Sequence, residues 1–193
     1  MLRINRLRVE INTVKGVYGI DESFKDGLNF IASLENTCGK SSILAAIYYC
    51  LGFEQILGGA GGIGSKVLTS AFKTAIEDKG ETLTVTESGA YLEISNGIET
   101  RTIYRNIKSE SKDNHLVTVY YGNYDSISNN KTSSEDYYVN IQNSATSEKG
   151  FHTFLEEFLH MELPLVRTSD GNERKLYLQM IFASMFIEQK HGW

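Results

Sequence analysis

Residues 32–42 read ASLENTCGKSS, and this stretch decides how the chain is interpreted. Its last part, Gly39-Lys40-Ser41, matches the end of the P-loop (Walker A) pattern G-x-x-x-x-G-K-[ST], whereas Leu34 stands in place of the first glycine. The pattern is meaningful only where a strand precedes it and a helix follows it. The flanking sequence is therefore its first test.

Both flanks have the required pattern. The short apolar run at residues 28–32 (LNFIA) predicts a buried strand. Residues 40–51 predict a helix because apolar residues recur there at three- and four-residue spacing, and Gly52 follows as a stop. These apolar positions are Ile43, Leu44, Ala46, Ile47 and Cys50. The order strand, loop, Gly-Lys-Ser and helix predicts a nucleotide-binding loop.

Each part of such a loop has a chemical role. Backbone N–H groups of residues 37–42 would surround phosphate oxygens at the positive end of the helix dipole. Lys40 would place its ammonium between the β- and γ-phosphates, Ser41 would offer a hydroxyl to Mg²⁺, and Ser42 would contact the α-phosphate. The missing first glycine supplies none of these groups, so a nucleotide and Mg²⁺ remain the predicted ligands. The loop residues predicted to bind them are Thr37, Cys38, Gly39, Lys40, Ser41 and Ser42.

Composition limits the class of protein. The chain has 193 residues, 41% of them hydrophobic and 22% charged, which is typical of one globular domain or part of a larger one. A net charge of −5 argues against strong non-specific binding of nucleic acid by this piece alone. Two cysteines, Cys38 and Cys50, are too few for a disulfide framework. With no apolar run long enough for a membrane span or signal peptide, we expect a cytoplasmic protein.

The remaining sequence predicts a mixed α/β (α+β) fold with an antiparallel meander. Strands are predicted at residues 2–13, 17–24, 82–87, 91–94, 100–104 and 115–121. Helices are predicted at 67–76, 151–161 and 176–184, with an extended segment at 185–188. The polar stretch 123–136 (NYDSISNNKTSSED) is expected to be weakly ordered.

The segments GLNFIAS, LENTCGKSS and ILAAIYYCLG resemble the N-terminal half of an SMC/RecN-type ABC ATPase head. This class of P-loop NTPase includes the ATPase of the double-strand-break repair nuclease complex. The loop of those heads usually reads G-x-N-G-S-G-K-S. The matching residues are Asn36, Gly39, Lys40 and Ser41, and the departing ones are Leu34, Thr37 and Cys38. The later segments are also similar to a bacterial subgroup that includes ATPases of phage-defence operons.

The final segment MFIEQKHGW resembles the Q-loop of the same class. The resemblance implies that Gln189 helps to hold Mg²⁺ and to position the attacking water. It thus implies Lys40 and Gln189 as catalytic residues, and Ser41 and Gln189 as metal ligands.

The resemblance covers one lobe of a head. It implies that residues 1–193 form the N-terminal lobe, with the P-loop at 34–41 and the Q-loop around 189, and that the coiled coil and C-terminal lobe are absent. The sequence contains neither four apolar residues followed by Asp-Glu nor an L-S-G-G-type signature. We therefore do not expect hydrolysis by this polypeptide alone.

The resemblance also implies partners. ATP would be buried between two heads, giving a homodimer on ATP, and the chain's own C-terminal lobe would complete each head. DNA is expected to bind the full-length protein, with a nuclease or accessory subunit as a further candidate and no membrane. Lys66 and the basic face of Arg3, Arg6 and Arg8 are candidate DNA contacts. A solvated loop and an ordinary exposed strand are the alternative interpretations.

Three other functions fit a P-loop. A GTPase should carry N-K-x-D, but the nearest text, residues 130–133, reads NKTS. A small P-loop kinase should have a parallel sheet of βαβ units, whereas an antiparallel meander is predicted here. A nucleotide-sensing scaffold that binds without turnover remains open.

Overall fold

The computed structural model of the chain describes residues 1–32, 40–54, 68, 70–129, 132–139 and 148–185. Within these ranges the fold is mixed α/β, built on a seven-stranded antiparallel sheet. The strands lie in the order β2-β1-β4-β5-β6-β7, and β3 pairs with the beginning of β4. Two further strands, β8 and β9, form a separate hairpin.

The elements have the following bounds. The strands are β1 (Arg3–Thr13), β2 (Gly16–Ser23), β3 (Ala75–Asp78), β4 (Glu81–Ser95), β5 (Thr100–Lys108), β6 (Leu116–Tyr120), β7 (Ser134–Tyr138), β8 (Leu165–Arg167) and β9 (Glu173–Lys175). The helices are α1 (Lys40–Cys50), α2 (Tyr124–Ile127), α3 (Phe151–Phe158) and α4 (Leu178–Met185), and a π-helical turn covers Ser70–Thr74. None of the described helices is long and apolar enough to cross a bilayer.

The core lies on one face of the sheet. Leu7, Leu92, Ile103 and Val119 sit opposite one another on adjacent strands and are fully buried. Helix α1 packs against strands β1, β4 and β5. The alternation of apolar and polar residues that predicted β1 is therefore what places its apolar face under α1.

Helix α1 is enclosed at its C-terminal end. Residues 45–50 are all buried, whereas Ser41 is exposed and Lys40 is half-buried. Gly52 ends the helix in the left-handed region (φ +72°), where a Cβ atom would lie 2.9 Å from both Val139 Cγ1 and His152 Nε2. The helix is thus held firmly at one end and opens to the surface at the other.

The predicted meander differs from the structure in one respect. Residues 82–87 and 91–94 were predicted as two strands, but they belong to the single strand β4 of 15 residues. Gly89 does not make a turn there. A Cβ atom at Gly89 would lie 2.7 Å from Cε2 of Tyr104, so this glycine gives room for a tyrosine ring lying across the sheet.

The predicted buried strand at residues 28–32 is wrong. Leu28 and Phe30 are 80% and 84% exposed, and the segment forms no strand with the described residues. The Asn29 side chain instead closes a local loop, accepting from the Lys25 N–H (2.9 Å) and donating to the Lys25 carbonyl (2.8 Å). The described sheet places no partner strand beside this run, so its apolar residues remain at the surface.

Other predictions are corrected locally. Residues 124–129 and 132–136 are ordered: Asn123 caps α2 by accepting from the Ser126 N–H (3.0 Å), and β7 follows. Within the predicted helix at 67–76, residues 70–74 form a π-helical turn and residues 75–76 begin β3, while residues 67 and 69 lie outside the described residues. Met185 belongs to α4 rather than to an extended segment, and 186–188 lie outside the described residues. The predictions of β1, β2, α1, β5, β6, α3 and α4 are confirmed to within a few residues.

Candidate nucleotide site

The candidate site begins at the first residue of α1. Lys40 is the first residue of the helix, and Ser41 and Ser42 follow it in the first turn. No acidic residue lies in that turn. The first N–H groups of a helix have no partner within the helix and carry its positive dipole end, so this surface attracts anions.

Lys40 lines a cleft of about 350 Å³. Ile43 continues the α1 side of the cleft, and the other walls come from the end of β2 and the segment that follows it. The residues of those walls are Glu22, Ser23, Phe24, Asn29, Phe30, Ile31 and Ala32. The volume lies within the range of about 300–1,000 Å³ that is usual for small-molecule sites. The helix start therefore faces a space that can hold a ligand.

The structure brings together only part of the predicted site. Lys40, Ser41 and Ser42 share one helical turn. The predicted residues Asn36, Thr37, Cys38, Gly39 and Gln189 lie outside the described residues, and so does Lys66. Their roles stay predictions.

The cleft walls were not predicted from the sequence. Glu22 and Ser23 lie at the end of β2, and Phe30 belongs to the run interpreted as a buried strand. Their position beside Lys40 depends on tertiary structure, and no motif links them to the loop. Only the closeness of residues 28–32 to the P-loop in sequence gave a partial signal.

Ser41 is the one predicted Mg²⁺ ligand among the described residues. Within the described ranges, no group of three or more His, Cys, Asp or Glu residues could hold a metal ion. Mg²⁺ is commonly bound by one or two protein side chains together with substrate phosphates. The exposed Ser41 in the first turn of α1 fits such a role.

The predicted basic face on β1 is neutralised. Arg6 contacts Asp21 at 2.7 Å and Asp125 at 3.0 Å, and Arg8 contacts Asp21 and Glu10 at 2.8 Å each. Hydrogen bonds from Arg6 hold the pKa of Asp21 below its ordinary value.

The third arginine of that face also has an acidic partner, and an aromatic ring lies beside the other two. Arg3 pairs with Asp26 at 3.2 Å. The Tyr124 ring lies 4.9 Å from the guanidinium carbon of Arg6 and 5.3 Å from that of Arg8. These arginines already have acidic and aromatic partners, which favours an ordinary strand face over a DNA contact.

The chain was also compared with known proteins. No protein-family model, curated protein or solved structure matches it. The structure itself shows a mixed α/β fold with an antiparallel sheet and a helix that begins at Lys40 beside a cleft.

Proposed function

We propose that this chain is the ATP-binding N-terminal lobe of an SMC/RecN-type ABC ATPase head. In the full-length protein it would act in DNA maintenance, repair or anti-phage defence. The observation that carries the proposal is that Lys40 begins α1 and lines the 350 Å³ cleft. Of the context that a P-loop requires, the helix after Gly-Lys-Ser is present, whereas the apolar run before it forms no strand with the described residues.

In this proposal the phosphates of ATP lie at the start of α1. The first-turn N–H groups and the Lys40 ammonium neutralise the phosphate charge, and Ser41 binds Mg²⁺. The loop residues 36–39 and Gln189 complete the site. Burial of residues 45–50 supports this role, because a helix fixed at its far end presents its first turn in a constant position.

The sheet supports an ABC-type head over a kinase. All pairs of the described strands are antiparallel. A small P-loop kinase would place parallel strands joined by helices at this point. The antiparallel arrangement is what the resemblance to an N-terminal ABC lobe implies.

The exposed segment at residues 28–32 supports a partner lobe. Continuous apolar runs are typical of strands buried on both faces. Here Leu28 and Phe30 are 80% and 84% exposed, and Ile31 is 40% exposed. We assign this surface to the C-terminal lobe, and a second head would bind across the nucleotide. DNA and a nuclease subunit would be partners of the full-length protein.

Titration calorimetry with Mg²⁺-ATP tests the nucleotide site. We expect Lys40→Ala to weaken binding at least tenfold, because a charge-assisted contact to phosphate is removed. The matched control is Lys73→Ala, which removes a lysine that does not line the cleft and should leave binding unchanged. Equal affinities of the parent chain and Lys40→Ala would refute the phosphate site at α1.

A further inference from the structure

The cleft beside α1 has a charged residue of each sign. Lys40 enters from α1 and Glu22 from β2, and the other lining residues are uncharged. A nucleoside triphosphate carries its negative charge only at the phosphate end. A carboxylate in the same cleft therefore repels the phosphates of such a ligand, whereas it can accept a hydrogen bond from the nucleoside part.

The Glu22 carboxylate is exposed at the cleft. Across the described residues, neither a hydrogen bond nor an ion pair engages it. Its neighbour Asp21 is bound by both Arg6 and Arg8. Successive side chains of a strand point to opposite faces, so Asp21 serves the arginine face and Glu22 faces the cleft.

The other polar side chains of the cleft are less suited to this role. The Asn29 amide accepts from the Lys25 N–H and donates to the Lys25 and Gly27 carbonyls, so its bonds are used inside its own loop. Ser23 is a neutral hydroxyl. Phe24 and Phe30 supply apolar walls. Glu22 is thus the strongest hydrogen-bond acceptor that lines the cleft.

We propose that Glu22 is a specificity-determining residue that makes the cleft prefer a nucleoside triphosphate over bare polyphosphate. It accepts a hydrogen bond from the nucleoside part of the ligand, from either a sugar hydroxyl or an amino group of the base. In this arrangement the phosphates lie at Lys40. This inference rests on the proposed function and adds to it a contact between the nucleoside and Glu22 on β2.

The test compares two ligands on four proteins. Affinities for Mg²⁺-ATP and for Mg²⁺-tripolyphosphate are measured with the parent chain, Glu22→Ala, Lys40→Ala and the control Glu77→Ala. Glu77 is an exposed carboxylate on β3 that does not line the cleft. We expect Glu22→Ala to weaken ATP binding at least about tenfold, as for the loss of a hydrogen bond to a charged group, and to leave tripolyphosphate binding unchanged or stronger.

The outcomes separate the two proposals. If Glu22→Ala changes the affinities for ATP and tripolyphosphate by the same factor, Glu22 does not read the nucleoside, and the nucleotide site stands without it. If Lys40→Ala changes neither affinity, the proposed function fails, and this inference fails with it. Because Glu22 is exposed and makes no described contacts, its variant should keep the parent unfolding midpoint.

Two analogues identify the donor group. Dideoxy-ATP lacks the ribose hydroxyls, and purine riboside triphosphate lacks the amino group of the base. The analogue that binds the parent chain and Glu22→Ala equally well lacks the group that Glu22 contacts. If Glu22→Ala weakens both analogues as much as it weakens ATP, neither donor is used and the inference is overturned.

Discussion

The guanidinium of Arg105 lies 3.9 Å from the ring centroid of Tyr49 and also donates a hydrogen bond to the Tyr49 carbonyl. The same guanidinium forms an ion pair with Glu54 and donates to the Asn114 carbonyl at 2.7 Å. Arg105 lies on β5 in the middle of the sheet, and Tyr49 lies in the last turn of α1. A buried cation thus joins the central strand to the C-terminal end of the helix, where it also complements the helix dipole.

Replacing this arginine should be costly. The Arg105 side chain is 2% exposed, and Arg105→Met would remove its ion pair with Glu54 and its hydrogen bonds to the Tyr49 and Asn114 carbonyls. Because Glu54 is half-buried, we expect a loss near the lower end of the range for buried ion pairs, about 3 kcal/mol, to which the lost carbonyl contacts contribute. Urea unfolding measures this loss. The control is Arg174→Met, which breaks an exposed pair with Asp170 and should change stability by less than about 0.5 kcal/mol. Similar effects of the two substitutions would contradict the anchoring role of Arg105.

Gly52→Ala should destabilise the chain for two reasons. The position has φ +72°, and a Cβ atom there would approach Val139 Cγ1 and His152 Nε2 at 2.9 Å. We expect a loss of about 2 kcal/mol, of which about 1 kcal/mol comes from the backbone conformation alone. Gly80→Ala isolates that backbone contribution, since Gly80 has φ +83° and open space around its Cα. A Gly52 variant no less stable than the Gly80 variant would show that the packing contact is unimportant.

Stability should fall in mild acid because of His152. Burial lowers the pKa of His152 below its ordinary value of 6.5, although nearby Glu54 and Glu156 partly oppose this. Below pH 6.5 the unfolded chain therefore binds a proton that the folded chain excludes, and the free energy of unfolding decreases. The contribution is fully present above pH 6.5 and is lost as the pH falls through the folded-state pKa.

Unfolding measured between pH 7.5 and 5 in the parent chain and in His152→Phe tests this effect. The variant should show a smaller loss of stability over that interval, while the exposed-histidine control His160→Asn should behave like the parent. Parallel curves for the parent and His152→Phe would exclude His152 as the source of the acid sensitivity.

The apolar segment at residues 28–32 gives opposite predictions in two settings. Because Leu28 and Phe30 are 80% and 84% exposed, the double variant Leu28→Ser/Phe30→Ser should leave the stability of this chain within about 0.5 kcal/mol of the parent. In the full-length head, where we assign the segment to the lobe interface, the same variant should weaken the packing of the lobes. Thermal unfolding of the two proteins checks both statements. A loss of several kcal/mol in the 193-residue chain would mean that the segment is buried after all.

The elements that could be predicted from sequence are those whose pattern is local. The alternation of Leu7, Val9 and Ile11 identified β1, and the three- and four-residue spacing from Ile43 to Cys50 identified α1. In both elements, the spacing of the apolar residues within the element identifies its buried face.

The errors came from residues whose role depends on a distant partner. Gly89 has the usual signature of a turn, but its purpose is to accommodate the ring of Tyr104 on the next strand. The run at 28–32 has the composition of a central strand, yet composition does not say which strands will flank it. The same holds for the candidate site: Lys40 could be identified from its motif, whereas Glu22 reaches the cleft only through the course of β2.

The enclosure of residues 45–50 determines which side of the cleft can adjust to a ligand. Rotating α1 would disturb its buried neighbours and its contact with Arg105, so the wall of the cleft that carries Lys40 stays fixed. The opposite wall carries Phe30 on a surface loop and can shift with little loss of burial. Closure on the proposed nucleotide would therefore be a movement of residues 25–32 toward a stationary helix, with Phe24 held to β1 by its hydrogen bond to the Asn5 carbonyl (2.8 Å).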